Sequence, residues 1–245
     1  MRHKRYGWIR DLPDKRDFLY AAIKPVIRLP RAIDLRSVCP EIEDQGQLGS
    51  CTAQALAGNL EFLDNMPDQL YTDVSRLFIY YNERVLQDTV GYDSGASIRI
   101  GIKTLKNDGV CGESFWPYLI GKFDRKPPER CYAAARDHRI SSYHRLSRLN
   151  EMLTCLADGY PFVFGFTVYE SFESQAVART GVVPMPKKGE KSLGGHAVMA
   201  AGYDQVKKRF LVRNSWGAQW GKKGYFTMPF EYLETLAADF WTIRK

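Results

Sequence analysis

The spacing of apolar residues changes once along this chain, near residue 140, and that change restricts the folds open to it. Ala53, Leu56, Leu60 and Leu63 recur at helical spacing from Cys51 until Asn65-Met66-Pro67 interrupts them, which predicts a helix of about four turns. Two more helices are expected, from Ser75 to about Leu86 and from Ser97 to about Lys106. The second carries Ile98, Ile102 and Leu105 on one face, with Gly109 past its end. Beyond residue 140 a short helix (Leu149, Met152, Leu153, Leu156), stopped by Gly159 and Pro161, precedes Phe162-Val-Phe-Gly-Phe-Thr-Val168. That run is too short and too rich in β-favouring residues for a helix. Strands are expected at 197–203, 210–213, 224–228 and 240–243, with Asp204-Gln-Val-Lys-Lys208 as a hairpin loop. Helices first and strands second is the α+β order. It predicts a helical lobe, an antiparallel β-rich lobe and a functional cleft between them.

Residues 1–28 follow neither period. Tyr6, Trp8, Phe18 and Tyr20 alternate with Arg10, Asp11, Asp14, Lys15, Arg16 and Asp17, punctuated by Pro13 and Pro25. This reads as an irregular arm whose aromatic rings need a surface to pack on. The net charge of +7 does not indicate nucleic acid, because the basic residues are scattered. Only Arg2-His-Lys-Arg5 and Lys187-Lys188 with Lys191 cluster, as solvated faces commonly do. No stretch reaches the roughly 18 apolar residues of a membrane span, and the start lacks the apolar core of a secretory signal. Cytoplasmic residence and export without a visible signal peptide both remain open. Five cysteines are an odd number, so at least one stands outside any intramolecular disulfide; Cys39, Cys111, Cys131 and Cys155 fit two bridges or four buried thiols.

Cys51 opens the first helix, directly after Gln45-Gly-Gln-Leu-Gly-Ser50. The positive end of a helix and its unpaired N–H groups favour thiolate over thiol, so this cysteine has the setting of a nucleophile. Of the four histidines, His3 lies in the arm, while His138 and His144 stand in Arg-rich polar surroundings that read as surface. His196, in Gly194-Gly-His-Ala-Val198, lies at the mouth of a buried strand, where the glycines admit another backbone. Asn214, in Asn214-Ser-Trp-Gly217, ends the strand that pairs with it. A side-chain amide there can accept from one imidazole nitrogen and turn the other toward a thiol, with Trp216 shielding the bond from water.

His196 follows Cys51 by 145 residues and Asn214 by a further 18, a spacing typical of papain-like enzymes. Over about residues 29–245 the sequence resembles the papain-like (C1-type) cysteine peptidase family, most nearly a bacterial, short-propeptide, xylellain-like branch. Leu29-Pro30 with Asp34-Leu-Arg36 looks like the family's mature start. Gln45 and Cys51 fit its nucleophile segment, and Gly194-Gly-His-Ala-Val198 fits its histidine segment. Asn214-Ser-Trp-Gly-Ala-Gln-Trp-Gly221, followed by Gly224-Tyr225, fits its asparagine segment and is the most specific of these motifs. Two positions depart from the pattern: Leu48 stands where a second cysteine is usual, and Thr52 where tryptophan usually follows the nucleophile. The common disulfide framework is therefore absent, and 28 residues are too few for the familiar helical proregion.

The resemblance implies a two-lobe papain-like fold with a helix-rich lobe at about 29–140 and a β-rich, β-barrel-like lobe at about 141–245. It also implies a cysteine endopeptidase working through an acyl-enzyme. Cys51 is the implied nucleophile, His196 the base, Asn214 its orienting partner, and Gln45 with the Cys51 N–H the oxyanion donors. Substrate backbone is expected against the Asp93-Ser-Gly-Ala96 loop, chiefly Ser94 and Gly95, and beside Gly194, Gly195 and Trp216. Gly194 and Gly195 replace bulkier residues at the wall of the main specificity pocket. The arm then reads as a short propeptide over the cleft, or as a structural strap. Partners are expected to be protein or peptide substrates and protein inhibitors of such enzymes, with the chain a monomer. Neither metal-ligand spacing nor a phosphate-binding loop is present, so no cofactor is expected. Rival readings are an acyl-transferring enzyme, against which Asn214 argues because a carboxylate is usual there, and a catalytically silent peptide-binding relative.

Overall fold

The computed structural model describes residues 5–20, 29–67 and 69–245. His3 and Pro25 of the arm lie outside the described residues. Three helices form where apolar periodicity places them: α1 (Cys51–Asp64), α2 (Arg76–Leu86) and α3 (Ile98–Asn107). Ser75 caps α2 by accepting from the Phe78 N–H, which defines that boundary (3.1 Å). A shorter helix, α4 (Glu129–Ala135), was not legible from periodicity, since only Cys131 and Ala135 are buried in it.

Seven strands form one antiparallel sheet: β1 (Ala32–Asp34), β2 (Ser142–Leu146), β3 (Phe162–Tyr169), β4 (Ser192–Asp204), β5 (Arg209–Arg213), β6 (Tyr225–Pro229) and β7 (Ala237–Arg244). The order is β2-β7-β3-β4-β5-β6, with β1 added beside the far end of β4. Helices α5 (Leu149–Ala157), α6 (Gln175–Thr180) and α7 (Phe230–Leu236) connect the strands. The expected hairpin is present, with Asp204 paired to Arg209 across its loop.

Both sheet faces are buried, and strand alternation divides them. On β4, Ala197, Met199 and Ala201 join Leu56, Leu60, Phe78 and Ile102 of the helices in one core. Val198 and Ala200 turn the other way. They join Phe162, Phe164, Phe166, Phe210 and Phe226 in a second core, closed by α5 and α7. Small residues on the helix-facing side of β4 allow α1 to pack against it, and this brings Cys51 to the strand that carries His196.

Candidate active site

The loop ahead of α1 is fixed at both ends of its turn. Gln45 N–H donates to the Ser215 carbonyl (2.9 Å), and Gly46 takes a left-handed conformation (φ 61°) that favours glycine. Ser50 does not cap the helix with its side chain; its hydroxyl pairs with that of Tyr118 (2.6 Å). The Ser50 side chain therefore occupies none of the first N–H groups of α1. The Cys51 sulfur has the backbone N–H groups of Ala197, Gly7 and Thr52 within reach. These favour thiolate, as the helix position suggests, yet Cys51 is completely buried and its thiol is pushed up to about 11. Burial is the main cause, and a buried carboxyl, Glu83, adds to it.

On the opposite wall, His196 Nε2 lies 2.8 Å from Asn214 Oδ1. That oxygen also accepts from the Ser215 N–H (2.9 Å), so Nε2 carries the hydrogen and Nδ1 is the nitrogen turned to other work. Trp216 is tilted by 30° to the imidazole at 5.0 Å between centroids, and Phe166 meets it edge-on at 5.7 Å. His196 is not at the mouth of its strand. It lies inside β4, paired with Phe166 of β3, because β4 begins four residues earlier at Ser192.

Gln45 is aimed by a residue that sequence reading passed over. Ser215 Oγ donates to Gln45 Oε1 (2.7 Å), which leaves the amide Nε2 facing Leu48 O (2.9 Å) and the Arg5 carbonyl (3.2 Å). Its place between Asn214 and Trp216 was the only signal available for Ser215.

The arm runs through this cleft. Trp8 N–H donates to Gly195 O (3.0 Å), Ala96 N–H to Gly7 O (2.7 Å) and Ile9 N–H to Ala96 O (2.9 Å). The residue that pairs with the incoming backbone is thus Ala96. Gly95 contributes space: its φ is 74°, and a Cβ there would lie 2.1 Å from Gly7 O. Ser94 turns its hydroxyl to Thr89 Oγ1 and the Gly95 carbonyl (2.8 Å each), inside its own loop. Tyr6 stands 6.2 Å from the His196 ring and 6.3 Å from that of Trp216, with its hydroxyl on Glu173. The Trp8 indole fills a pocket where a Cβ on Gly165 would lie 1.9 Å, and one on Gly195 2.6 Å, from its ring. Its Nε1 donates to Asp239 Oδ2 (3.2 Å) at the pocket base, where burial raises the carboxyl to about 6.

Further along, Asp11 accepts from Arg99 N (3.3 Å) and Trp241 Nε1 (3.1 Å), and Asp17 pairs with Arg99 (2.7 Å) and Arg145 (2.6 Å). Tyr20 is buried and donates to Asp158 (2.9 Å), whereas Phe18 stays mostly exposed.

Two histidine readings need correction. His138 is buried and holds Asp64 at 2.8 Å, because Asp64 ends α1 in the interior and needs partners; Lys245 supplies another at 2.5 Å. His144 is half-buried on β2. All five cysteines are free thiols.

Comparison with known proteins gives the family and the fold. Residues 29–233 match the model of the papain family cysteine proteases. The chain is 43% identical over 272 residues to an uncharacterized peptidase C1-like protein, L477, of Acanthamoeba polyphaga mimivirus, covering 99% of this chain and 87% of that protein. The crystal structure of xylellain, a cysteine protease from Xylella fastidiosa, superposes with a TM-score of 0.92 at 40% identity, covering 100% of this chain and 98% of that one. A procathepsin L2 of Tenebrio molitor larval midgut shares the fold (TM-score 0.76, 20% identity, 99% of this chain and 78% of that one). Cysteine at a helix start, histidine held by asparagine on the facing sheet and a family match over most of its length place this chain in the papain family of cysteine proteases.

Proposed function

We propose that the chain is a latent endopeptidase, with residues 1–28 as a short propeptide ahead of a catalytic domain at 29–245. The observation that carries this reading is the seating of residues 5–8. The Arg5 carbonyl occupies the Gln45 amide, Tyr6 covers His196, and Gly7 offers its N–H to the sulfur. A thiolate attacks carbonyl carbon, so an amide N–H at the sulfur blocks the site without presenting a bond to cut. The raised thiol supports the same reading, because it keeps Cys51 protonated while the arm is in place.

With the arm withdrawn, the Cys51 proton passes to His196, whose Nε2–H stays on Asn214. The thiolate attacks the peptide carbonyl carbon, and the electron pair moves to oxygen, held by the Gln45 amide and the Cys51 N–H. Collapse breaks the C–N bond, and His196 gives its proton to the leaving amine. Water, losing a proton to His196, then attacks the thioester and releases the acid. Substrate backbone would take the hydrogen bonds of Gly195 and Ala96 that the arm now uses. A large side chain would take the Trp8 pocket, whose walls at Gly165 and Gly195 have no Cβ. Peptide hydrolysis by full-length protein, protein lacking 1–28 and its Cys51→Ala form tests this. Turnover should rise on truncation and vanish with the cysteine; equal turnover in full-length and folded truncated protein would refute latency.

A further inference from the structure

Behind the nucleophile lies a carboxyl that the reaction scheme leaves without a task. Glu83 of α2 is 0% exposed. Its Oε2 accepts from Thr52 Oγ1 at 2.8 Å, and its Oε1 has no hydrogen-bond partner among the described residues. The fit is close: a Cβ on Gly101 of α3 would lie 2.3 Å from Oε1. Thr52 is itself fully buried, and its backbone N–H is one of the donors within reach of the Cys51 sulfur. The carboxyl is thus one hydrogen bond from the turn that presents the nucleophile.

No cation forms an ion pair with it among the described residues, and the Arg84 charge lowers it less than burial raises it. Arg84, its neighbour in sequence, spends its guanidinium on the carbonyls of Val90, Tyr92 and Phe123 and on the Tyr80 ring 4.2 Å away. On α3, Arg99 pairs with Asp17, Lys106 bonds Ser141 O, and Lys103 is exposed. On α1 the titratable neighbour is Cys51, whose thiol an ionised Glu83 pushes upward. Burial raises Glu83 to about 8, so it is neutral where the helix terminus must favour thiolate.

We infer that Glu83 is a positioning residue that sets the nucleophile's turn through Thr52 and must be neutral to do so, its ionisation switching the protease off. This rests on the Cys51–His196 reading. As pH rises through the Glu83 titration, a buried carboxylate appears beside the sulfur and opposes the thiolate that the N–H groups of α1 otherwise stabilise.

The test uses the full-length chain with its arm loosened by Trp8→Ala, and compares kcat/KM against pH for that parent, Glu83→Gln and Thr52→Val. Glutamine keeps an acceptor for Thr52 and cannot ionise. Glu83→Gln should leave the rate near pH 7 within about threefold and move the alkaline limb upward. Thr52→Val should lower kcat about tenfold with KM held. A Glu83→Gln profile superimposable on the parent's, or a Thr52→Val kcat equal to the parent's, would overturn the inference. Hydrolysis surviving Cys51→Ala in the same background would instead overturn the reading beneath it.

Discussion

The two walls of the cleft hold their reactive groups by different means. Cys51 is placed by backbone: a helix start, a left-handed glycine and N–H groups converging on sulfur, in an apolar core with one buried carboxyl behind it. His196 is placed by side chains: the Asn214 oxygen on one nitrogen and the rings of Trp216 and Phe166 around it. A backbone site tolerates loss of neighbouring side chains other than those, such as Thr52, that hold its turn. A side-chain site fails with its partner. Gln45 belongs to the first wall by position and to the second by orientation, since Ser215 aims it.

That contrast can be broken in graded steps. Cys51→Ala should lower kcat on the order of 10⁴-fold or more, read as loss of peptide hydrolysis with unchanged folding. Gln45→Ala should cost about 10²–10³-fold in kcat, with KM little altered if the amide acts on the oxyanion. Asn214→Ala should cost about 10–10²-fold and reshape the pH profile, because His196 loses the acceptor that fixes its tautomer. Ser215→Ala should cost about fivefold, the worth of one hydrogen bond, through an intact but loosely aimed Gln45.

Stability should also follow pH through Glu83. Its folded value of about 8 lies above the ordinary 4.5, so from about 4.5 to 8 the folded state holds a proton that the unfolded state has lost. The Glu83 contribution therefore falls as pH rises through that window and is flat above it. Thermal melts should show Glu83→Gln gaining on the parent between pH 5 and pH 8, and a constant difference would contradict the buried-charge account.

The backbone wall was the more legible in sequence, because a helix start is local information. The helix start at Cys51 and the bounds of α1 to α3 follow from spacing and caps within a few residues, whereas Gln45 follows from the family resemblance. His196 and Asn214 were found through motif and separation, but the strand around His196 was misjudged, since Ser192-Leu-Gly-Gly195 looks like a loop and becomes strand only when β3 pairs with it. Ala96 stood in the expected loop but was not singled out from Ser94 and Gly95, and Ser215 and Asp239 had no local signature. Ala96, Ser215 and Asp239 each acquire their place from a partner far along the chain: Gly7, Gln45 and Trp8. His138 was misread for the same reason, as its Arg-rich neighbours say nothing of Asp64 74 residues away.

The arm joins the walls by occupying both, and covering Cys51 is the central claim. Labelling of Cys51 by a thiol-directed epoxide, followed by mass spectrometry on full-length protein and on protein lacking residues 1–28, tests it most directly. Slow labelling of the full chain and fast, Cys51-specific labelling after truncation are expected. Equal rates in two folded proteins would contradict the account.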